Sequence, residues 1–232
     1  MITLVYLERL GDVLQMLPAA KWLHDQGRGP VHIACAPKYS GVLDLVTYAT
    51  WTPEPVGDVI DLQIWPNRYQ EYRASGLSWM DFVYADPRIA CAERTILLDN
   101  LPDRRPVGLP DRYNLLAPHG ISQGFAYPLD VSLYMAKEKM GEFVLLHEPA
   151  DCFYTVPHWS AASIVELALA IRHADQFMCI NSSPAILASA LRRGRLTYFL
   201  PQQGQWTQDN CAPWPGRIDY QRNHWPAVTP AC

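Results

Sequence analysis

The chain opens on ITLVYL (residues 2–7), a near-continuous apolar run that passes through the turn ERLGD into apolar residues at three-and-four spacing. A run of that kind forms a strand buried on both faces, the condition of a strand inside a parallel sheet. Parallel neighbours need a crossover connection, usually a helix. The next segment supplies one. Val13, Leu14, Leu17, Ala20 and Leu23 mark one face of a helix that opens near Asp12 and ends at Gly27, with Pro18 inside it as a kink. VHIACA (31–36) reads as a second strand, YSGVLDLVTYA (39–49) as a second helix and VIDLQIW (59–65) as a third strand. This alternation predicts a doubly wound α/β layer.

Residues 66–112 carry an aromatic-rich stretch from Tyr69 to Tyr84, the short apolar segment TILLDNL and the breaker cluster PDRRPVGLPD at 102–111. That cluster is the best place for a domain boundary. Beyond it the alternation restarts with YNLLAP (113–118) as strand, LDVSLYMAKEKMG (129–141) as helix stopped by Gly141, and FVLLHE (143–148) as strand. Ser163 and Glu166 have capping-box spacing, and Ile164, Leu167 and Ile171 line one face of the helix they open. QFMCI is then a buried strand, Ser183 and Pro184 are the N-cap and first-turn proline of a helix stopped by Gly194, and LTYFL is a last strand. The expected organisation is an α/β fold with two Rossmann-like domains, 1–110 and 111–201. A tail at 202–232, with Trp206, Trp214 and Trp225 among prolines, is expected to pack across the surface.

Composition narrows the classes. Nineteen basic against 23 acidic residues give a net charge of −4, which excludes a surface built throughout for phosphate backbones. No apolar stretch approaches the ~20 residues of a bilayer crossing. Glu8, Arg9 and Asp12 also occupy the place of a signal peptide's apolar core, so a cytoplasmic location is expected. The six cysteines form no CxxC pair and lack metal-ligand spacing, so free thiols and no bound metal are expected.

Open α/β sheets bind ligands at the carboxyl ends of their strands, which directs attention to ERLGD, APHGISQG and INSSP. In RLGDV, Gly11 permits close backbone approach, and Asp12 is either a helix N-cap or a general base whose pKa is raised by partial burial. In LAPHGIS, Gly120 and Ser122 can offer donors to a phosphate and His119 a charge-assisted bond, although a loop histidine satisfied by its neighbours fits equally. In INSSPAIL, the amides ahead of Ala185 with Ser182 and Ser183 form either a diphosphate cradle or an ordinary helix start. No Walker A loop, GxGxxG, HExxH, GxSxG or DxD motif occurs.

RLGDVLQMLPAAKWL, with the strand before it, resembles the N-terminal signature of the ADP-heptose:lipopolysaccharide heptosyltransferases, glycosyltransferase family 9. In that signature a strand runs into R-x-G-D, apolar residues and P-A. VHIACAPKYSGVLDLV is similar to the family's second strand and helix, and LLAPHG to the strand and glycine loop of its nucleotide-binding domain. SIVELALAIRHADQFMCINSSPAILASAL is similar to its C-terminal helix-strand-helix segment. The resemblance covers about two-thirds of the chain in the right order. It implies the GT-B fold, two Rossmann-like domains facing across a cleft, in a minimal version. It also implies an inverting, metal-independent transfer from a nucleoside-diphosphate sugar to a glycan or other hydroxyl-bearing acceptor. Asp12 would be the base and Arg9 would orient it or the acceptor. The donor would meet Gly11, His119, Gly120, Ser122, Asn181, Ser182 and Ser183, and no cofactor is implied.

The sequence departs from the family pattern at the donor side. Asn181 stands where the family has an aspartate and Ile186 where it has a histidine, and only Lys137 or Lys139 is available as the family's donor-phosphate lysine. Three readings follow: an inverting glycosyltransferase, a catalytically decayed nucleotide- or sugar-binding protein of the same shape, and another α/β nucleotide enzyme.

Overall fold

A computed structural model describes residues 1–77, 79–90, 94–120, 124–125, 129–147, 156–180, 182–191 and 197–199. In chain order the first half contains β1 (Ile2–Val5), α1 (Leu10–Asp25), β2 (Val31–Ala34), a 3-10 helix (Pro37–Leu45), β3 (Thr50–Thr52), β4 (Asp58–Asp61), α2 (Tyr69–Ser75) and α3 (Trp79–Val83). The second half contains β5 (Asn114–Ala117), β6 (His119–Gly120), β7 (Gly124–Phe125), α4 (Leu129–Met140), β8 (Val144–Leu146), β9 (His158–Trp159), α5 (Ile164–His173), β10 (Gln176–Cys179), α6 (Ser183–Leu191) and β11 (Thr197–Phe199).

Two separate parallel sheets result, ordered β3-β2-β1-β4 and β11-β10-β5-β8-β9. The chain is therefore α/β with two Rossmann-like sheets. In each, the first strand is central and the order reverses beside it, between β1 and β4 and between β5 and β10. Those two reversals open the crevices where such sheets take ligands.

Residue parity explains the burial. In the second sheet Leu115, Ala117, Phe177 and Cys179 face a core shared with the first half. Leu116, Met178, Ile180 and Leu145 face the opposite way, under α4. Both faces are apolar because both are covered, as the unbroken hydrophobic runs imply. Cys35 and Cys179 are buried free thiols, and burial pushes the Cys35 thiol up to about 11.

Several local expectations are met. Helix α1 ends in a Schellman turn, with Gly27 N–H donating to His24 O (2.9 Å), Arg28 N–H to Leu23 O (3.2 Å), and Gly27 at φ +65°. At Pro18 the helical ladder opens. The Tyr84 hydroxyl donates to Gln15 O (2.7 Å) and accepts from Ala19 N–H (3.2 Å), filling the broken rung. Gly141 closes α4 at φ +72°.

Other expectations are corrected. The spacing at 39–49 predicts a helix, yet the chain forms a 3-10 helix over Pro37–Leu45 followed by the additional strand β3. Gly41 weakens the α form, and 3-10 turns serve short segments. Asp12 is not the N-cap of α1. Arg9 is, and its carbonyl accepts from Asp12 N–H (3.1 Å) and Val13 N–H (3.2 Å). Ser182 rather than Ser183 caps α6, because Ala185 and Ile186 N–H both donate to Ser182 O, at 2.9 and 3.2 Å. The Ser163–Glu166 box is half formed. Ser163 Oγ accepts Glu166 N–H (3.2 Å), but the Glu166 carboxylate leaves the helix for the Arg104 guanidinium and for Val107 N–H (2.9 Å). The stop at Gly194 and the tail 202–232 lie outside the described residues.

Glu166 thus ties the segment between the sheets to α5, and the Trp159 indole N–H adds a bond to Val107 O (2.9 Å). Arg104 and Val107 N–H hold the Glu166 carboxyl below its ordinary pKa. A depressed pKa stabilises the fold fully above the ordinary carboxyl value, and that contribution is lost as pH falls through the folded value. Glu166→Ala should therefore cost about 1–3 kcal/mol at pH 7, chiefly from the stranded N–H and guanidinium. The difference from wild type should shrink below pH 4 in urea titrations; a gap independent of pH would remove the carboxylate from the account.

Candidate active site

The rim beside the β1/β4 reversal is built from the ends of those strands. Leu62 N–H donates to Val5 O (3.1 Å), carrying the chain after β4 alongside the turn that follows β1. Beyond Val5 come the buried Tyr6, the exposed Arg9, Gly11, and Asp12 in the first turn of α1 with 8% of its surface exposed. Asp12 Oδ2 finds no hydrogen-bond partner of good geometry among the described residues, and neither does the indole nitrogen of Trp79.

Burial in this setting pushes the Asp12 carboxyl up to about 7. The Tyr6 hydroxyl, the Arg9 guanidinium and the Trp79 indole N–H pull in the other direction without prevailing. Burial and the neighbouring Asp12 raise the Tyr6 phenol far above its ordinary value, so it stays a proton donor. The backbone N–H of Ile64 faces the same phenol. A carboxyl poised near neutrality, with donors arranged for its charged form, is what general-base work at physiological pH requires.

Arg9 adopts φ +72°, ψ +119°, a conformation costly for a residue with a side chain. The other non-glycine residue with positive φ among the described ones is His147 (φ +70°), just past β8 in the second sheet. Both lie at carboxyl ends of parallel strands, where ligand sites concentrate strain.

Gly11 meets the second half directly. A Cβ placed there would stand 2.9 Å from Ile186 Cδ1 and 3.5 Å from Ser183 Oγ. The N-terminus of α1 and that of α6 therefore abut, and Arg9, Gly11, Asp12, Ser182 and Ser183 are gathered at one junction. The helix end offers an anion fewer amides than the motif implies, since Pro184 has none and those of Ala185 and Ile186 are turned to Ser182 O. Ser182 Oγ donates to Ile180 O (3.3 Å).

The remaining candidates divide. His119 and Gly120 belong to a two-residue antiparallel ladder with Phe125 and Gly124, so this loop does not open a helix. His119 lies near enough to His147 that the two charges oppose each other, and with burial this lowers the His147 pKa. Ser122 and Asn181 lie outside the described residues. Lys137 and Lys139 fall in the last turn of α4, and Lys137 pairs with Glu142. In a parallel crossover the helix ends at the rim opposite the strands' carboxyl ends, so neither lysine stands where the donor-phosphate role would need it. The sequence motifs point to neither Tyr6 nor Trp79. Tyr6 was legible as the polar-tipped end of an otherwise apolar strand, whereas Trp79 reaches Asp12 only through the fold.

No family model matches the chain, and no curated protein matches it in sequence. Solved structures do match in fold. WaaC, an E. coli heptosyltransferase with ADP, superposes with a TM-score of 0.61 at 12% identity over 87% of this chain and 88% of its own. The chain has the fold of the heptosyltransferases. A glycosyl transferase of family 9 from Veillonella parvula gives 0.58 at 12% identity over 86% and 80%. TibC of enterotoxigenic E. coli, an iron-containing dodecameric glycosyltransferase, gives 0.59 at 12% identity over 85% of this chain, which spans 57% of the TibC chain. Among the described residues no three His, Cys, Asp or Glu side chains are grouped to hold a metal ion, and no helix is long and apolar enough to cross a membrane.

The raised Asp12 pKa has a thermodynamic signature. The folded state binds the proton more tightly than the unfolded chain, so stability falls as pH rises from 3.8 toward 7, and the full cost applies above. That cost is on the order of 4 kcal/mol. Asp12→Asn should accordingly melt higher than wild type at pH 8 and nearly with it at pH 4; equal melting curves at pH 8 would refute the buried carboxylate. Arg9→Gly should gain about 1 kcal/mol at pH 5 by releasing backbone strain. By removing a neighbouring cation it should also move the Asp12 titration, followed by carboxyl carbon NMR, above 7.

Proposed function

We propose that the chain is an inverting glycosyltransferase that moves a sugar from a nucleoside-diphosphate donor to an acceptor hydroxyl. The observation that carries this reading is the buried Asp12 carboxyl, pushed up to about 7 among Tyr6, Arg9 and Trp79 and next in sequence to Gly11, which packs against α6 of the second half. Asp12 takes the proton of the acceptor hydroxyl as that oxygen bonds to the anomeric carbon. The bond from that carbon to the diphosphate breaks with its electron pair on the leaving oxygen, and the configuration inverts. Tyr6 holds the carboxylate by donating to it, the Trp79 indole lies beside it, and Arg9 supplies the nearby positive charge. Ser182 and Ser183, with His119 and Gly120 on the β5 side, are the residues proposed to meet the donor, and residues 1–110 the part that carries the acceptor. No step in this scheme requires a metal or cofactor.

A second reading rests on Ile186. An apolar side chain packed on Gly11 stands where the family resemblance places a histidine, and α6 presents few free amides. Those facts favour a protein that binds a nucleotide or sugar without turnover. A thermal-shift panel of nucleoside diphosphates and nucleotide sugars, followed by assay of diphosphate release, separates the two. A ligand at 100 times its Kd should add about 2.7 kcal/mol of stability under either. Under the first, release should rise tenfold per pH unit below about 7, level off above it, and fall ~10²–10⁴-fold in Asp12→Asn. Binding without release would select the second reading.

A further inference from the structure

The segment after β4 carries a feature that the proton-transfer scheme does not use. Trp65 is 49% exposed, although tryptophan is among the side chains most worth burying. Its ring meets Tyr69 edge-on with centroids 5.0 Å apart, Tyr69 meets Tyr72 at 6.3 Å, and Tyr72 meets Trp79 at 5.2 Å, again edge-on. A continuous aromatic file therefore runs from the solvent to the indole that faces Asp12. At its outer end the preceding residue is Ile64, whose N–H faces Tyr6, the other side chain beside Asp12. The inner end of the file and the residue before its outer end thus both lie against the surroundings of Asp12.

The surroundings define what this surface recognises. Arg68, partly exposed, has its guanidinium 4.7 Å from the Phe82 ring centroid and its Nε 3.1 Å from Oε2 of the exposed Glu71. Its charge is paired at the surface. The exposed Asn67 and Gln70 bring uncharged amides to the same stretch of chain, while the Gln63 amide donates to Asp61 Oδ1 (3.3 Å). An anionic acceptor finds no free cation among these residues, and an apolar one leaves the amides unmatched. A pyranose presents both an apolar face of axial C–H bonds and a rim of hydroxyls, matching an aromatic ring flanked by amides.

We propose that Trp65, backed by Tyr69, is the platform on which a neutral pyranose of the acceptor lies. That the bound sugar is an acceptor rests on the transferase reading, while the sugar site itself is tested without any donor. Saturation-transfer NMR of the full chain with the methyl glycosides of glucose, galactose, mannose and N-acetylglucosamine reads binding and shows which protons touch the protein. At least one glycoside should receive saturation on the C–H bonds of one ring face. Trp65→Ala should weaken its binding at least ten-fold, and Trp65→Tyr should restore part of it. Melting curves verify that both variants are folded, and should Trp65→Ala fail to fold, Trp65→Tyr and Tyr69→Phe carry the comparison. Saturation of no glycoside, equal saturation in folded wild type and Trp65→Ala, or Trp65-dependent binding of an uncharged Ser/Thr/Pro peptide instead, would each overturn the proposal. Trp65-dependent saccharide binding in a protein that releases no diphosphate from any nucleotide sugar would leave the platform standing and remove the transferase reading.

Discussion

Two glycines of the first half receive two isoleucines of the second. Gly11 lies against Ile186, and a Cβ on Gly41 would come within 3.2 Å of Ile164 Cγ2. Neither place has room for a side chain without displacing a branched one, and these contacts seat α1 on α6 and the 3-10 helix on α5. The relative position of the two sheets, and with it the meeting of the R-x-G-D turn with the α6 end, follows from that fit. Packed interiors accept few alternatives at such points, because a void or an overlap of one methyl group is already felt.

The architecture was legible wherever burial fixes the residue pattern. The runs at 2–7, 31–36, 113–118 and 176–180 are apolar on both faces because both faces are covered, and the intervening spacing marks α1, α4 and α5. What the sequence concealed depends on partners distant along the chain. Glu166 has the spacing of a capping box, but Arg104 and Val107 offer its carboxylate a better-matched pair of donors than the helix start does. Thr50–Thr52 is too short and too polar to announce itself, and becomes a strand only by pairing with β2. At the site, the R-x-G-D turn was readable, and so was the pull of burial on its acid. Trp79 was not, because its nearness to Asp12 is set by α3 converging on the start of α1 from far along the chain.

Asp12 places chemistry and stability in opposition. A carboxyl exposed at the same turn would cost the fold little, but it would also be a weak base at neutral pH. Burial raises its basicity and charges the fold for every ionised copy, while Tyr6, Trp79 and Arg9 limit the expense. The strained backbone of Arg9 belongs to the same arrangement, since it turns the chain from β1 into α1 within a few residues and leaves the guanidinium at the rim.

The shared core constrains how anything enters. Leu115, Ala117, Phe177 and Cys179 from the second sheet and the α1 face of the first belong to one hydrophobic body. Swinging the halves apart as rigid jaws would wet this seam, at about 1.5–3 kcal/mol for each large aliphatic side chain returned to water. Ile186 is the side chain that fills this seam at Gly11, so the two halves answer to one methyl group there as a single packed body.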